Sequence, residues 1–457
     1  MTAKKNKQII QMENVDVELG GKVDVVQNTV QSLLDCVQNV DVELGGEVYV
    51  TNKFSPSIYM APRNLRDLSP NSFDPRVVSI GPLHREDENV QAFEGRKSNY
   101  IHDLLKRIKS PREKTLEACV QKVAASIKQI KGCYAGIKAY DDTEFAKMMV
   151  MDACFILEFI YWYSEPEKKT QLNKLLAQSI IYDLVLLENQ IPFFVLNDIF
   201  LCTIKKFEPD NSLIEFICPV LKFLNLFEAN IKISNIRIDA TTHILGLLHQ
   251  CYQPRSKTLS YFSSSTIHSA VELDRAGVNF KPNRDKKWPM AMEVKLHLHR
   301  FLCFPWSWGK PTIRMPVLRV HHFTELVLRN IIAYEQSSLG DNYVTSYGIA
   351  MDRLIDTQED VAKLVESKVL VNNMGSNEEA ANMMNSICKE VAWVHRGPDK
   401  HGKKLDTYCK DYWPKNIARL RRTYFSNPWS IIALIAGMVL FALTVIQTFF
   451  TIRPPGN

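Results

Sequence analysis

Residues 142–163 read DTEFAKMMVMDACFILEFIYWY, and the spacing of the apolar side chains in this stretch decides the fold class. Phe145, Met148, Met149, Phe155, Ile156 and Phe159 recur at three- and four-residue intervals, the period of one helix face. An aspartate or threonine at the start supplies an N-cap. Asp152 falls on the same stripe, seven residues after Phe145, so its carboxylate is expected inside the protein with a partner. Glu158 lies one and a half turns further on.

A second polar cluster follows at 182–194, YDLVLLENQIPFF, where Asp183, Glu188, Asn189 and Gln190 interrupt an apolar run just before Pro192. Two readings are open. Paired carboxylates with shifted pKa values serve acid–base catalysis. Alternatively, Asp152, Glu158, Asp183, Glu188, Asn189 and Gln190 form a structural polar network. If a helix runs through Pro192, the ring crowds the carbonyl of Glu188 and offers it no N–H, and neighbouring amide side chains then serve the freed backbone groups. The balance of these arguments favours the network, with no catalytic residue assigned.

The same helical period returns at 93–108, 115–130, 321–336 and 357–367, and again after Ser376. The exceptions are short. Residues 57–84 hold four prolines, which preclude a long helix and predict an extended segment laid over the body. MEVKLHLH (292–299) and TIRMPVLRV (312–320) alternate apolar and polar residues and predict two strands of a small hairpin or sheet. The fold class is therefore mainly α, a large helical body with a small β element.

At 457 residues, with 46% hydrophobic and 23% charged residues, the chain has material for a large core. A net charge of +6, scattered along the sequence, gives no basic stripe for nucleic acid, and none is expected as a partner. The ten cysteines include no C-x-x-C pair, which removes the usual zinc and disulfide signatures. No G-x-G-x-x-G, P-loop, G-x-S-x-G or H-E-x-x-H motif occurs, so no cofactor, metal or enzymatic activity is assigned. Two copies of NVDVELGG, at 14–21 and 39–46, mark residues 1–51 as a separate extension with an internal repeat.

Residues 426–452 carry no charge, and roughly 20 apolar residues suffice to cross a hydrocarbon core of about 30 Å. The segment is expected to be a transmembrane helix that makes the lipid bilayer a partner, with residues 453–457 as a short tail. Arg419, Arg421 and Arg422 precede it, Trp429 sits at its start, and only Arg453 follows. This asymmetry predicts a single-pass, tail-anchored protein of the plasma membrane or endomembranes, with residues 52–425 as a cytosolic domain.

Six blocks carry a resemblance: VVSIGPLH, FAKMMVMDACFILEF, YDLVLLENQIPFFVL, AVELDRAGVNF, LVLRNIIAYEQ, and YFSNPWSIIALIAG with LTVIQTFF. In this order they resemble the plant family known as domain of unknown function 247, over roughly residues 57–452. The resemblance implies a plant protein with a largely helical body, a C-terminal transmembrane helix and no established activity. Some grass relatives are linked to self-incompatibility loci as pollen-side recognition determinants. Met60 stands where the family usually has arginine, and Arg85 where it has histidine. The function expected is that of a membrane-anchored protein acting in protein interaction or signalling, with an unidentified protein partner; the alternatives are self-incompatibility recognition and an enzyme using a carboxylate pair.

Overall fold

The computed structural model describes residues 56–169, 173–228, 231, 236–239, 242–254, 268–283, 288, 290–295, 311–337, 342–391, 405, 408–409 and 428–452. The chain divides into units 1–55 and 56–457, and the description concerns the second. The extension 1–51 with its repeat lies outside the described residues.

The helices are α1 (Arg63–Leu68), α2 (Glu88–Arg107), α3 (Arg112–Ala125), α4 (Ile127–Gly132), α5 (Asp142–Ser164), α6 (Pro166–Lys169), α7 (Lys174–Asp183), α8 (Phe193–Cys202), α9 (Leu213–Phe223), α10 (Ile244–Cys251), α11 (Ala270–Arg275), α12 (Thr324–Ser337), α13 (Tyr343–Leu354), α14 (Gln358–Glu366), α15 (Asn377–Ile387) and α16 (Pro428–Ile452). The chain is mainly helical, as its periodicity predicts.

Helix α5 begins where the Asp141 side chain accepts the Thr143 N–H at 3.0 Å. From Phe145 to Ile160 nearly every side chain is buried, because α2, α3, α8 and α9 all pack against it. The apolar stripe read from the sequence is thus one side of a helix surrounded on most of its faces. Phe155 meets Phe93 and Tyr100 edge-on at centroid distances of 5.5 and 4.9 Å, and burial of each such ring contributes about 1.5–3 kcal/mol. A second group, α12 to α15, shares the same core. There Glu335 of α12 accepts the Val344 and Thr345 N–H groups at 3.0 and 2.7 Å, filling from a distance the capping role at the start of α13.

The β content is larger than the two strands expected. Strands β1 (Asn279–Pro282), β2 (Glu293–Lys295) and β3 (Thr312–Met315) form one sheet in the order β1-β3-β2, with β2 antiparallel and β1 parallel to β3. The run 312–320 is not one strand, since Pro316, which has no N–H for a ladder, ends β3. Strand β4 (Leu318–Val320) then pairs in parallel with β5 (Leu370–Asn372) in a separate two-stranded sheet.

The membrane reading requires correction. Among the described residues no helix is long and apolar enough to cross a membrane, which overturns the transmembrane helix at 426–452, the bilayer as partner, the tail anchor and the single-pass localisation. Residues Pro428–Ile452 do form a helix, α16, and its described side chains are exposed. Trp429 is exposed; Arg419, Arg421, Arg422 and Arg453 lie outside the described residues.

Candidate functional site: a buried polar cluster holding residues 57–84

Residues 76–81 belong to no helix or sheet and are tied to α5 and α7 by side-chain hydrogen bonds. An unpaired buried backbone is costly, and here side chains take the place of a neighbouring strand. Asp183, the last residue of α7, accepts three consecutive amides: Arg76 N–H on Oδ1 at 2.9 Å, and Val77 and Val78 N–H on Oδ2 at 2.8 and 2.9 Å. Asn189 Oδ1 accepts Ile80 N–H at 2.6 Å, while its Nδ2 donates to the carbonyls of Val78 and Asp183 at 3.0 and 2.9 Å. Asp152 Oδ2 accepts Gly81 N–H at 2.8 Å. Its Oδ1 receives Lys97 Nζ at 2.5 Å, which also donates to the Ser79 carbonyl at 2.6 Å.

Glu188 serves the upstream part of the segment. Its Oε1 accepts Ala61 N–H at 2.8 Å, and its Oε2 meets Arg66 Nη1 at 2.6 Å and His84 Nε2 at 2.9 Å. Upstream of that contact, Ser57 and Ile58 N–H both reach the Cys133 carbonyl at 3.1 Å. Gln190 ties its own loop, donating to the Leu184 and Leu186 carbonyls at 2.8 and 2.7 Å, and accepts Leu245 N–H at 3.2 Å.

Five of the six polar residues singled out in the sequence therefore converge, and the sixth stands apart. Glu158 lies six residues along α5 from Asp152 and pairs with Arg107 and with Trp162 Nε1 at 2.5 Å. The expected reason for the cluster changes as well. Helix α7 ends at Asp183 and Pro192 occupies the N-cap position of α8 with φ −58° and ψ 138°. Proline opens a helix here and interrupts none, so most of the polar side chains serve residues 61–84, while Gln190 and one bond from Asn189 satisfy local carbonyls. Lys97, Arg66, His84 and Asn330 were missed. Asn330 of α12 accepts Leu187 N–H at 2.7 Å and donates to the Ser72 carbonyl at 2.5 Å. Its one sequence signal is a polar residue among apolar neighbours in LVLRNIIAY.

The conformation of the segment depends on Gly81, whose φ is +75° and where a Cβ would lie 2.6 Å from the Gln190 carbonyl oxygen. Backbone cannot yield as a flexible side chain does. Gly81→Ala should cost about 2 kcal/mol from left-handed strain together with the clash, read as a lower urea midpoint.

The electrostatics follow from burial. Burial raises the Asp183 carboxyl to about 6, against the three N–H donors that pull it down, and raises Glu158 to about 7 against Arg107 and Trp162. For His84, burial works to lower the value, but hydrogen bonds and charge from Glu188 and Asp87 together outweigh it and hold the imidazole above its ordinary value. A raised folded-state value means that His84 binds its proton more tightly in the folded chain. The stabilisation it contributes is full below about 6.5 and is lost as pH rises through the folded value. The destabilisation by His84→Gln should therefore be larger at pH 6 than at pH 9, measured as the difference in unfolding midpoint from wild type at each pH.

Asp74, His84 and Glu188 have ligand atoms within 4.8 Å of one another, the one such group among the described residues. The Arg66 guanidinium already bridges two of them, with Nη2 2.5 Å from Asp74 and Nη1 2.6 Å from Glu188. A metal ion would have to displace that cation, so the donor set is filled by the protein itself. Elsewhere, His321 Nε2 contacts Asn373 Nδ2 at 3.0 Å, and His297 and His299 lie outside the described residues.

Comparison with known proteins agrees with the family resemblance. The UPF0481 protein At3g47200 of Arabidopsis thaliana is 27% identical over 420 residues, covering 87% of this chain and 86% of the relative. The putative UPF0481 protein At3g02645 of the same plant is 24% identical over 489 residues, covering 86% and 89%. No solved structure matches. The family model for DUF247, plant protein of unknown function, matches residues 58–443, from the start of the clamped segment into α16, and the chain belongs to that family.

Proposed function

We propose that the helical body is a non-catalytic protein-interaction module. The observation that carries this reading is the occupancy of the acidic cluster: Asp152, Asp183 and Glu188 are buried, and both oxygens of each accept from the chain's own N–H groups or cations. A general acid or base must reach a substrate atom, and these side chains are turned inward.

A cavity of about 630 Å³ lies elsewhere, between α2, α3 and α5, and none of the six polar residues lines it. Leu116, Val120 and Ala124 form one ridge of it along α3, facing Ala146 and Val150 of α5. Four-residue spacing makes the kind of ridge on which another helix packs. At the rim, Asp142 is paired with Lys131 at 2.6 Å, whereas Lys147 is exposed and has no carboxylate within ion-pair distance among the described residues. The occupant that complements this surface is an amphipathic helix of a partner protein with an acidic residue beside its apolar stripe.

The test uses partners recovered with the full chain from its source tissue. Val120→Glu and Lys147→Glu, both at exposed positions, should lower recovery of one common partner roughly tenfold with the unfolding midpoint unchanged. Equal recovery with wild type and both variants would remove the groove reading. A substrate turned over by wild type and lost in Glu188→Gln at full stability would restore the enzymatic one.

A further inference from the structure

The groove between α2, α3 and α5 calls for an apolar helix stripe with an acidic residue beside it, and α3 presents that pattern on its own outer face. Leu116, Val120 and Ala124 recur at four-residue spacing along α3. Val120 is 43% exposed, and Ala124 is exposed too. Glu113 and Glu117 are exposed beside this ridge, one turn apart and so on one side of the helix. Glu117 meets the Gln121 amide at 3.2 Å and, among the described residues, no cation. The same surface thus holds both halves of a docking pair: a groove with an unpaired ammonium at its rim, and a ridge with unpaired carboxylates at its edge.

The two halves are placed for a two-fold arrangement. Lys131 of α4, the helix that follows α3 directly, holds Asp142 at 2.6 Å and stands over the Phe145 ring at 5.4 Å. The start of α5, and Lys147 within it, therefore lies toward the C-terminal end of α3. When two copies of α3 cross antiparallel with Val120 at the crossing, Leu116 of each meets Ala124 of the other. Ridges of four-residue spacing on both helices interdigitate in such a crossing. Each Glu117 is then carried toward the end of the opposite groove where Lys147 stands, and the contact forms twice, as two-fold symmetry requires.

We infer that the occupant of the groove is α3 of a second copy of this chain, in an isologous dimer with Val120 at the two-fold axis and reciprocal Glu117–Lys147 pairs. This inference rests on the groove reading and names its partner. The apolar ridge supplies the attraction, while the charge pairs fix orientation and register, since exposed ion pairs add little affinity. At the axis Val120 faces its own copy, so a charge placed there meets its like.

The experiment co-expresses two differently tagged full-length chains, captures one and quantifies the other. Wild type should recover wild type. Val120→Glu with itself, Lys147→Glu with itself and Glu117→Lys with itself should each lower recovery roughly tenfold at an unchanged unfolding midpoint. Lys147→Glu paired with Glu117→Lys should return to the wild-type level, because both reciprocal pairs are again opposite in sign. Absence of self-recovery in wild type, recovery undiminished by Val120→Glu, or a mixed pair as weak as the like pairs would overturn the dimer. The groove reading fails separately. A different tissue partner lost in Val120→Glu, without self-recovery in wild type, would remove the second copy and keep the groove; loss of neither partner nor copy in that variant would remove both.

Discussion

Replacing Lys97 with methionine should destabilise the chain by about 3–5 kcal/mol, the cost of leaving one partner of a buried ion pair unmatched. Lys97 and Asp152 are both fully buried, and the lysine also supplies the Ser79 carbonyl. Its removal strands a carboxylate and a carbonyl where no water reaches. The loss is a large share of the roughly 5–15 kcal/mol that holds a typical domain folded. A second change distinguishes charge from packing. Asp152→Asn keeps an oxygen for Gly81 N–H and discards the charge, so the double variant should be more stable than the sum of the two single losses predicts. Urea midpoints at constant m-value measure the cycle; a loss under about 1 kcal/mol for Lys97→Met would show that water or a rearranged side chain replaces the ammonium.

The second large effect is expected at Glu188. Three donors converge on its carboxylate: Ala61 N–H, Arg66 and His84. Glu188→Gln preserves shape, but an amide has one acceptor oxygen and brings two further N–H donors, so at least one donor faces another donor in a buried space. A loss of about 3 kcal/mol follows from the same argument about unpaired buried charge. Arg66→Met should recover part of it by removing the stranded guanidinium. A variant as stable as wild type would contradict the role given to Glu188.

How much of this was legible in the sequence depends on the range of the interaction. The period of 142–163 and the place of Asp152 on its apolar stripe are local properties, and the sequence displays them directly. The need for a partner to Asp152 follows from burial alone, yet Lys97 stands 55 positions away and has the look of an ordinary surface lysine in FEGRKSNYIHD. Nothing local distinguishes a lysine whose ammonium is buried from one in water. Pro192 misled for a related reason: proline disfavours a helix interior and favours a helix start, and only the end of α7 at Asp183 decides between them. Strand β1 was hidden because its pairing with β3 joins Asn279 to Thr312, a parallel contact that no short-range alternation reveals. The six polar residues were found because each breaks an apolar pattern; what four of them hold, the backbone of 61–84, has no pattern of its own.

The most direct test of that arrangement is amide hydrogen exchange across residues 57–84. In the wild type, Val77, Val78, Ile80 and Gly81 should exchange slowly although they belong to no sheet, since their N–H groups are held by Asp183, Asn189 and Asp152. In Asp183→Ala, protection at residues 76–78 should fall first and furthest while the centre of α5 keeps its own. Unchanged protection of residues 76–78 in that variant, or loss spread evenly through α5, would contradict the claim that these side chains stand in for a missing strand.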